Sequence, residues 1–241
     1  VETGDAAATA ANITDSEGLF RLGIVAFTVI FVVDVAIAWA LWILFRPVAR
    51  DVSLLAGWLR LTYTVMLGVA VVFLFSALQL VTTGVLDGGG ADAHALLAID
   101  AFEHAWLIGL VAFGGHLLTL GWLVIRSGWA PRILGYALMT AGAAYIAGTL
   151  ARAVLADYAN VEGLFLAIVA IPSVIGELWL TMWLLTRGGK QQQAAAVDIA
   201  VADLENAKLM ADFLGLEHFI YKITDRDIVN FIPDAVWYLE S

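Results

Sequence analysis

Five long apolar segments constrain the fold of this chain more than any other feature of its sequence. They extend over residues 19–45, 54–86, 96–126, 133–155 and 164–186. A helix needs about 20 mainly apolar residues to cross the hydrocarbon core of a bilayer, and every segment is long enough. The composition agrees, since 62% of the residues are hydrophobic and 14% are charged. We therefore predict an all-α membrane protein, a bundle of five transmembrane helices in the cell membrane.

The rest of the chain divides into an N-terminal extension and a polar tail around a bundle domain at 19–187. Residues 1–18 are small, polar and acidic, and they lack the basic and apolar regions of a signal peptide. A linker rich in Gln and Ala is predicted at 188–197, followed by a small α+β tail at 198–241. The tail pattern predicts a helix, a strand and a second helix over 204–214, 217–223 and 227–239.

Charged residues between the spans separate by sign. The basic residues at one side of a five-span arrangement are Arg46, Arg50, Arg126, Arg132, Arg187 and Lys190. The acidic residues at the opposite side are Glu2, Asp5, Asp15, Glu17, Asp87, Asp92, Asp157 and Glu162. Short loops rich in Lys and Arg mark the cytoplasmic face. We therefore predict an N-terminus outside and a cytoplasmic C-terminus, and a further helix before Val1.

Several functional classes are disfavoured by composition. The chain has no cysteine, which excludes disulfides, thiolate metal sites and cysteine nucleophiles. Its net charge of −10 argues against nucleic acid as a partner. We expect no cofactor; the expected partners are the lipid bilayer and other membrane subunits or a second copy of the chain. The glycines that we assign to close helix packing rather than phosphate binding are Gly114, Gly115, Gly121, Gly142 and Gly148.

The third span carries a first group of candidate site residues. Asp100, Glu103 and His104 lie within an arc of about 100° on a helix, and the i,i+4 spacing allows Asp100 to hydrogen-bond His104. Their position near the end of the span also fits simple hydration at the outer interface. His116 lies about 18 Å deeper, so His104 and His116 cannot share one metal ion, and we expect no metal site.

Three ionisable residues lie deep within apolar segments. Asp34, His116 and Glu177 are candidates because such residues usually face the bundle interior or a water-filled cavity. They fit either interhelical hydrogen bonds that fix the packing or a proton or solute path. Pro172, five residues before Glu177, removes a backbone donor and could create a polar pocket.

Two arginines lie within apolar segments as well. Arg60 and Arg152 are close to predicted span ends, so we expect both side chains to extend to the membrane interface. Pairing of Arg152 with an acidic residue is a second possibility.

The membrane part resembles the prokaryotic multi-pass family known as domain of unknown function 4386. The resemblance covers about residues 19–189 and rests on RLGI at 21–24, LFRPV at 44–48, IGLVAFGGHLL at 108–118, RSGWAPRILG at 126–135 and GELWL at 176–180. It implies a multi-pass helical fold and no established activity. Family members usually carry one more helix at their N-terminus, in agreement with the helix predicted before Val1.

The tail is similar to a fragment of the synthetase domain of asparagine synthetases. The resemblance covers residues 203–241, from Asp203-Leu204-Glu205 to the Trp237-Tyr238-Leu239-Glu240-Ser241 end. That family holds ATP with a Ser-Gly-Gly-x-Asp-Ser loop, which this chain lacks. Asparagine synthetase activity is therefore not expected.

These observations leave three functional hypotheses. The leading one is an integral membrane protein whose buried polar residues line a cavity for a small solute, a lipid or a proton. The second is a membrane-embedded enzyme with His104 or His116 as general base and Asp100, Glu103 or Glu177 as its partner. The third is a structural or assembly subunit.

Overall fold

The computed structural model describes residues 4–84, 88–188 and 205–215. The chain divides into two compact units, residues 1–189 and residues 190–241. The helices of the first unit are α1 (Ala6–Asp15), α2 (Glu17–Phe45), α3 (Arg50–Thr82), α4 (Gly88–Ser127), α5 (Arg132–Val154) and α6 (Glu162–Trp183). A 3-10 turn, Tyr158–Asn160, precedes α6, and a π turn, Leu184–Gly188, extends it.

Five of these helices, α2 to α6, are long and apolar enough to cross a membrane. The described residues contain no β-strand. The predicted all-α class with five candidate spans is therefore confirmed.

Helix α4 lies at the centre of the bundle. It packs most extensively on α3 and α5, which in turn contact α2 and α6. In the most apolar 18-residue stretch of α4, 50% of the residues are buried, whereas the corresponding stretches of α2 and α6 are each 17% buried. The exposed faces of α2 and α6 are rich in Val, Ile and Leu, as expected for surfaces that contact lipid.

The predicted span boundaries differ most from the structure in α3 and at the start of α4. Helix α3 extends over Arg50–Thr82 rather than over residues 54–86, and α4 begins at Gly88 rather than at residue 96. With 40 residues, α4 is about 60 Å long and exceeds the thickness of a bilayer. Apolar composition marks the part of a helix that lies in lipid, whereas the helix itself continues through the polar residues before it.

Helix α1 was not predicted by the sequence reasoning. Its N-cap is Asp5, whose carboxylate accepts a hydrogen bond of 2.9 Å from the backbone N–H of Ala8. The Ala-rich segment after Asp5 favours a helix, and α1 packs mainly on α4 with Thr9, Ala10 and Ile13 buried. The acidic extension therefore includes a packed helix of the first unit.

Glycines bring α4 and α5 into backbone contact. A Cβ built on Gly114 would lie 2.6 Å from the carbonyl oxygen of Gly142, and one built on Gly121 would lie 2.5 Å from that of Gly135. The glycines are seven residues apart on each helix, so they recur on one face of both antiparallel helices. Close packing is thus confirmed for the predicted residues Gly114, Gly121 and Gly142.

The second unit is described only over residues 205–215. It contains helix α7 over 205–214, close to the predicted helix at 204–214, and Gly215 follows with a left-handed φ of 66°. The predicted strand and the second helix of the tail lie outside the described residues.

Candidate functional site

Three ionisable side chains from three helices meet inside the bundle. Asp34 of α2 forms an ion pair with Arg60 of α3. The Nη1 of Arg60 lies 3.3 Å from the Nε2 of His116 on α4. Asp34 is 5% exposed and His116 is completely buried. The structure therefore brings together two of the three deep residues that the sequence singled out.

The hydrogen bonds of His116 define its tautomer. A guanidinium only donates, so Nε2 of His116 must accept from Arg60. The other ring nitrogen, Nδ1, lies 2.9 Å from the carbonyl oxygen of Ala56, which only accepts. His116 is therefore the neutral imidazole that carries its proton on Nδ1.

Phe113 connects this triad to α5. The Arg60 guanidinium lies 5.4 Å from the centre of the Phe113 ring, within the range of a cation–π contact. The same ring packs against Tyr63 of α3 at 4.8 Å and edge-on against Tyr145 of α5 at 5.4 Å. One face of the triad is thus closed by aromatic side chains.

Glu177 of α6 joins the cluster through Tyr145. Its Oε1 accepts a hydrogen bond of 3.2 Å from the hydroxyl of Tyr145. The Glu177 side chain is half-buried. We call Asp34, Arg60, His116, Tyr145 and Glu177 the polar cluster.

Pro172 was predicted to create a polar pocket, and the structure shows α6 continuing through this proline without interruption. Pro172 lies one turn before Gly176, which packs against the backbone of Ala137 and Leu138 in α5. The hydroxyl of the neighbouring Ser173 donates to the carbonyl oxygen of Val169 at 2.6 Å. This close contact of α6 with α5 brings Glu177 within reach of Tyr145.

The outer candidates remain apart from the polar cluster. Asp100 and His104 are exposed, and no hydrogen bond joins them in the described part of α4. Glu103 is half-buried and lies 3.5 Å from Arg152, which is also 3.8 Å from Glu162. Arg152 therefore pairs with acidic residues, which was the second of the two possibilities predicted for it.

The expected extension of Arg60 to the membrane interface is wrong. The guanidinium is directed into the bundle, where Asp34 and His116 bind it. Sequence reasoning could have found this partner, because an acid inside a membrane needs a cation nearby. The roles of Tyr145 and Phe113 had no comparable signal, since aromatic residues are common in any apolar segment.

The described ranges contain no candidate metal site, because no three His, Asp or Glu side chains lie close enough together to bind one ion. The larger cavities are apolar grooves on the bundle surface. One of about 550 Å³ lies between α5 and α6, and another of about 440 Å³ lies between α2 and α3.

Five apolar helices with a polar cluster between them define a multi-pass integral membrane protein. The chain belongs to the family described as Domain of unknown function (DUF4386), which matches residues 1–188. A protein of Archaeoglobus fulgidus described as uncharacterized is 29% identical over 173 residues, covering 72% of this chain and 88% of that protein. No solved structure matches. The similarity of residues 203–241 to asparagine synthetases stays a prediction.

Proposed function

We propose that this protein binds and releases one proton inside its transmembrane bundle, at the polar cluster. The observation that carries the proposal is the buried Asp34–Arg60 ion pair, which is joined to His116 and is connected through Phe113 and Tyr145 to a second carboxyl group, that of Glu177. Ionisable residues that face the interior of a membrane bundle are typical of proton pathways.

Charge balance supports a single dissociable proton. The cluster contains one cation, Arg60, and two carboxyl groups, those of Asp34 and Glu177, while His116 is neutral by its hydrogen bonds. An unbalanced charge is costly in a medium of low dielectric constant, so one of the two carboxyl groups should carry a proton. Asp34 is ion-paired with Arg60, which leaves Glu177 as the group that holds the proton.

Release of this proton adds a second negative charge to the cluster. The Glu177 carboxylate of α6 then competes with Asp34 of α2 for the charge of Arg60, to which it is connected through Tyr145 and Phe113. Proton loss would in this way alter the contacts of helices at both edges of the bundle. Passage of the proton across the membrane is the stronger form of the same proposal.

A general-base role is not favoured for either histidine. Both ring nitrogens of His116 are already engaged, by Arg60 and by Ala56. His104 is exposed and has no carboxylate partner in the described part of the chain. A general base must reach its substrate with a free nitrogen, which the observed geometry of His116 does not offer.

Infrared difference spectroscopy of the full chain in lipid vesicles tests proton binding directly. A rise in pH should remove a protonated-carboxyl band in the wild type, and Glu177→Gln should lack this band. Glu162→Gln is the matched control, because Glu162 lies at the exposed start of the same helix. If the pH-dependent carboxyl bands of the wild type and of Glu177→Gln are the same, no band belongs to Glu177. This result would refute the proposal and leave a structural role for the cluster.

Transport is measured in the same vesicles. An internal pH dye should report faster proton entry under a valinomycin-imposed potential than in protein-free vesicles, and Glu177→Gln should abolish the excess. If the infrared band is present and the excess flux is absent, the protein binds a proton without passing it across the membrane.

We also infer an N-terminus outside and a cytoplasmic C-terminus. The basic end of the bundle carries Arg46, Arg50, Arg126, Arg132 and Arg187. The opposite end carries fewer basic residues in the described ranges, Arg21 and Arg152. The side with more Lys and Arg near the span ends faces the cytoplasm, and acidic neighbours contribute little to this preference.

The absence of cysteine makes the orientation easy to test. Thr83→Cys lies at the acidic end and Ser127→Cys at the basic end. A membrane-impermeant maleimide added to intact cells should label Thr83→Cys alone. Labelling of Ser127→Cys instead would reverse the orientation.

A further inference from the structure

A small cavity lies between α2 and α3 at the basic end of the bundle. Its volume is about 170 Å³, and Trp39, Trp42 and Trp58 contribute three of its walls. Trp39 and Trp58 are 64% and 61% exposed, so the cavity opens towards the lipid. Gly57 forms its base, where α3 approaches the backbone of Ala38.

Trp42 has an unused hydrogen-bond donor at this cavity. Its indole Nε1 is buried and has no acceptor among the described residues. A buried indole N–H usually has an acceptor, because an unpaired donor in an apolar environment is costly. The atom is covered by its neighbours, so an oxygen atom from outside the protein reaches this donor only when a side chain of the cavity wall moves aside.

Positive charge accompanies this donor. The Arg46 guanidinium lies 5.9 Å from the centre of the Trp42 ring, one turn further along the chain. Arg46 and Arg50 are both exposed, and neither has a carboxylate within ion-pair distance in the described ranges, although Asp51 is nearby in sequence. The turn between α2 and α3 is therefore a cationic surface next to an apolar cavity.

We propose that this cavity and turn form a binding site for one anionic phospholipid, separate from the polar cluster. The lipid phosphate lies between Arg46 and Arg50, and a headgroup or glycerol oxygen accepts the hydrogen bond from Trp42. An acyl chain occupies the cavity between Trp39 and Trp58. Arginines close to a membrane attract anionic lipids, and amphipathic tryptophans sit at headgroup level.

A second Trp–Arg pair on the same protein provides a matched control. The Arg126 guanidinium lies 5.5 Å from the centre of the Trp122 ring, again one helical turn away and at the basic end. The Trp122 side chain is 38% exposed and its indole N–H is not among the buried unpaired donors. This pair has the charge and the aromatic ring without the unsatisfied donor.

Native mass spectrometry of the full chain released from mixed vesicles of phosphatidylglycerol and phosphatidylcholine tests the site. The wild type should retain one phosphatidylglycerol in preference to phosphatidylcholine. Trp42→Phe keeps the ring and removes the donor, and it should weaken retention about fivefold, the effect of one lost hydrogen bond between neutral groups. Arg46→Gln should weaken it similarly, while Trp122→Phe and Arg126→Gln should retain the lipid as the wild type does.

Two results would overturn the lipid site. Equal losses in the Trp42 and Trp122 variants would show a general basic interface instead of a site, and unchanged retention in Trp42→Phe and Arg46→Gln would show no site. Arg46 is exposed, so Arg46→Gln leaves the packing intact and stays informative if Trp42→Phe destabilises the protein. The variants also leave the polar cluster untouched, so failure here is distinct from failure of the proton proposal.

Discussion

Arg60 of α3 forms an ion pair with Asp34 of α2 in the interior of the bundle. Because the pair is buried, the loss of one partner leaves an uncompensated charge, which typically costs about 3–5 kcal/mol. We expect Asp34→Leu and Arg60→Met to lower the free energy of unfolding by about that amount. The double variant should lose less than either single variant. Reversible unfolding in mixed detergent micelles measures all three, and simple additivity would contradict the ion pair.

His116 should keep one tautomer whether or not Arg60 is present. Nitrogen NMR of the labelled protein in lipid should show a protonated Nδ1 and an unprotonated Nε2. Arg60→Met removes the donor to Nε2, but the Ala56 carbonyl still accepts from Nδ1, so the same tautomer should persist and only the Nε2 resonance should shift. A wild-type spectrum with a protonated Nε2 would be incompatible with the contacts described here.

The glycine contacts between α4 and α5 should tolerate no side chain. A methyl group on Gly114 or Gly121 meets a backbone carbonyl at 2.6 or 2.5 Å, so the helices must move apart. We expect Gly114→Ala and Gly121→Ala each to destabilise the protein by about 1–3 kcal/mol in the same unfolding assay. Gly23→Ala is the control, because nothing lies within 4 Å of its added Cβ and alanine favours a helix. Equal stability of all three variants would argue against direct backbone contact.

Tyr145 should contribute a modest hydrogen bond to α5–α6 packing. Tyr145→Phe removes the hydroxyl that donates to Glu177, and interhelical hydrogen bonds in membranes average about 0.6 kcal/mol with a maximum near 1.7 kcal/mol. Tyr136→Phe, at an exposed position of the same helix, should change the stability less. A Tyr145→Phe variant as stable as the control would show that the bond contributes nothing.

The ion pairs of Arg152 should behave differently from that of Arg60. The Arg152 side chain is 36% exposed and Glu103 is 47% exposed, so solvent screens their charges. Glu103→Gln should change the free energy of unfolding by less than about 1 kcal/mol, and added salt should reduce the difference further. A salt-independent loss similar to that of Asp34→Leu would place Glu103 in the buried network.

The sequence by itself determined the class and the five candidate spans, and it singled out Asp34, His116 and Glu177 as candidate site residues. These properties follow from length and hydrophobicity, because a bilayer accepts only long apolar helices and makes every ionisable residue within them costly. The exact ends of α3 and α4 and the helix α1 did not follow, since polar residues outside the lipid can be helical or not.

Only the tertiary structure decided which residues meet. It turned Arg60 towards Asp34 and His116, placed Tyr145 next to Glu177, and left Asp100 and His104 at the surface. Partner choice depends on the rotation and depth of each helix against its neighbours. The glycines of α4 and α5 set that packing by allowing backbone contact, a relation between distant segments that hydrophobicity does not encode.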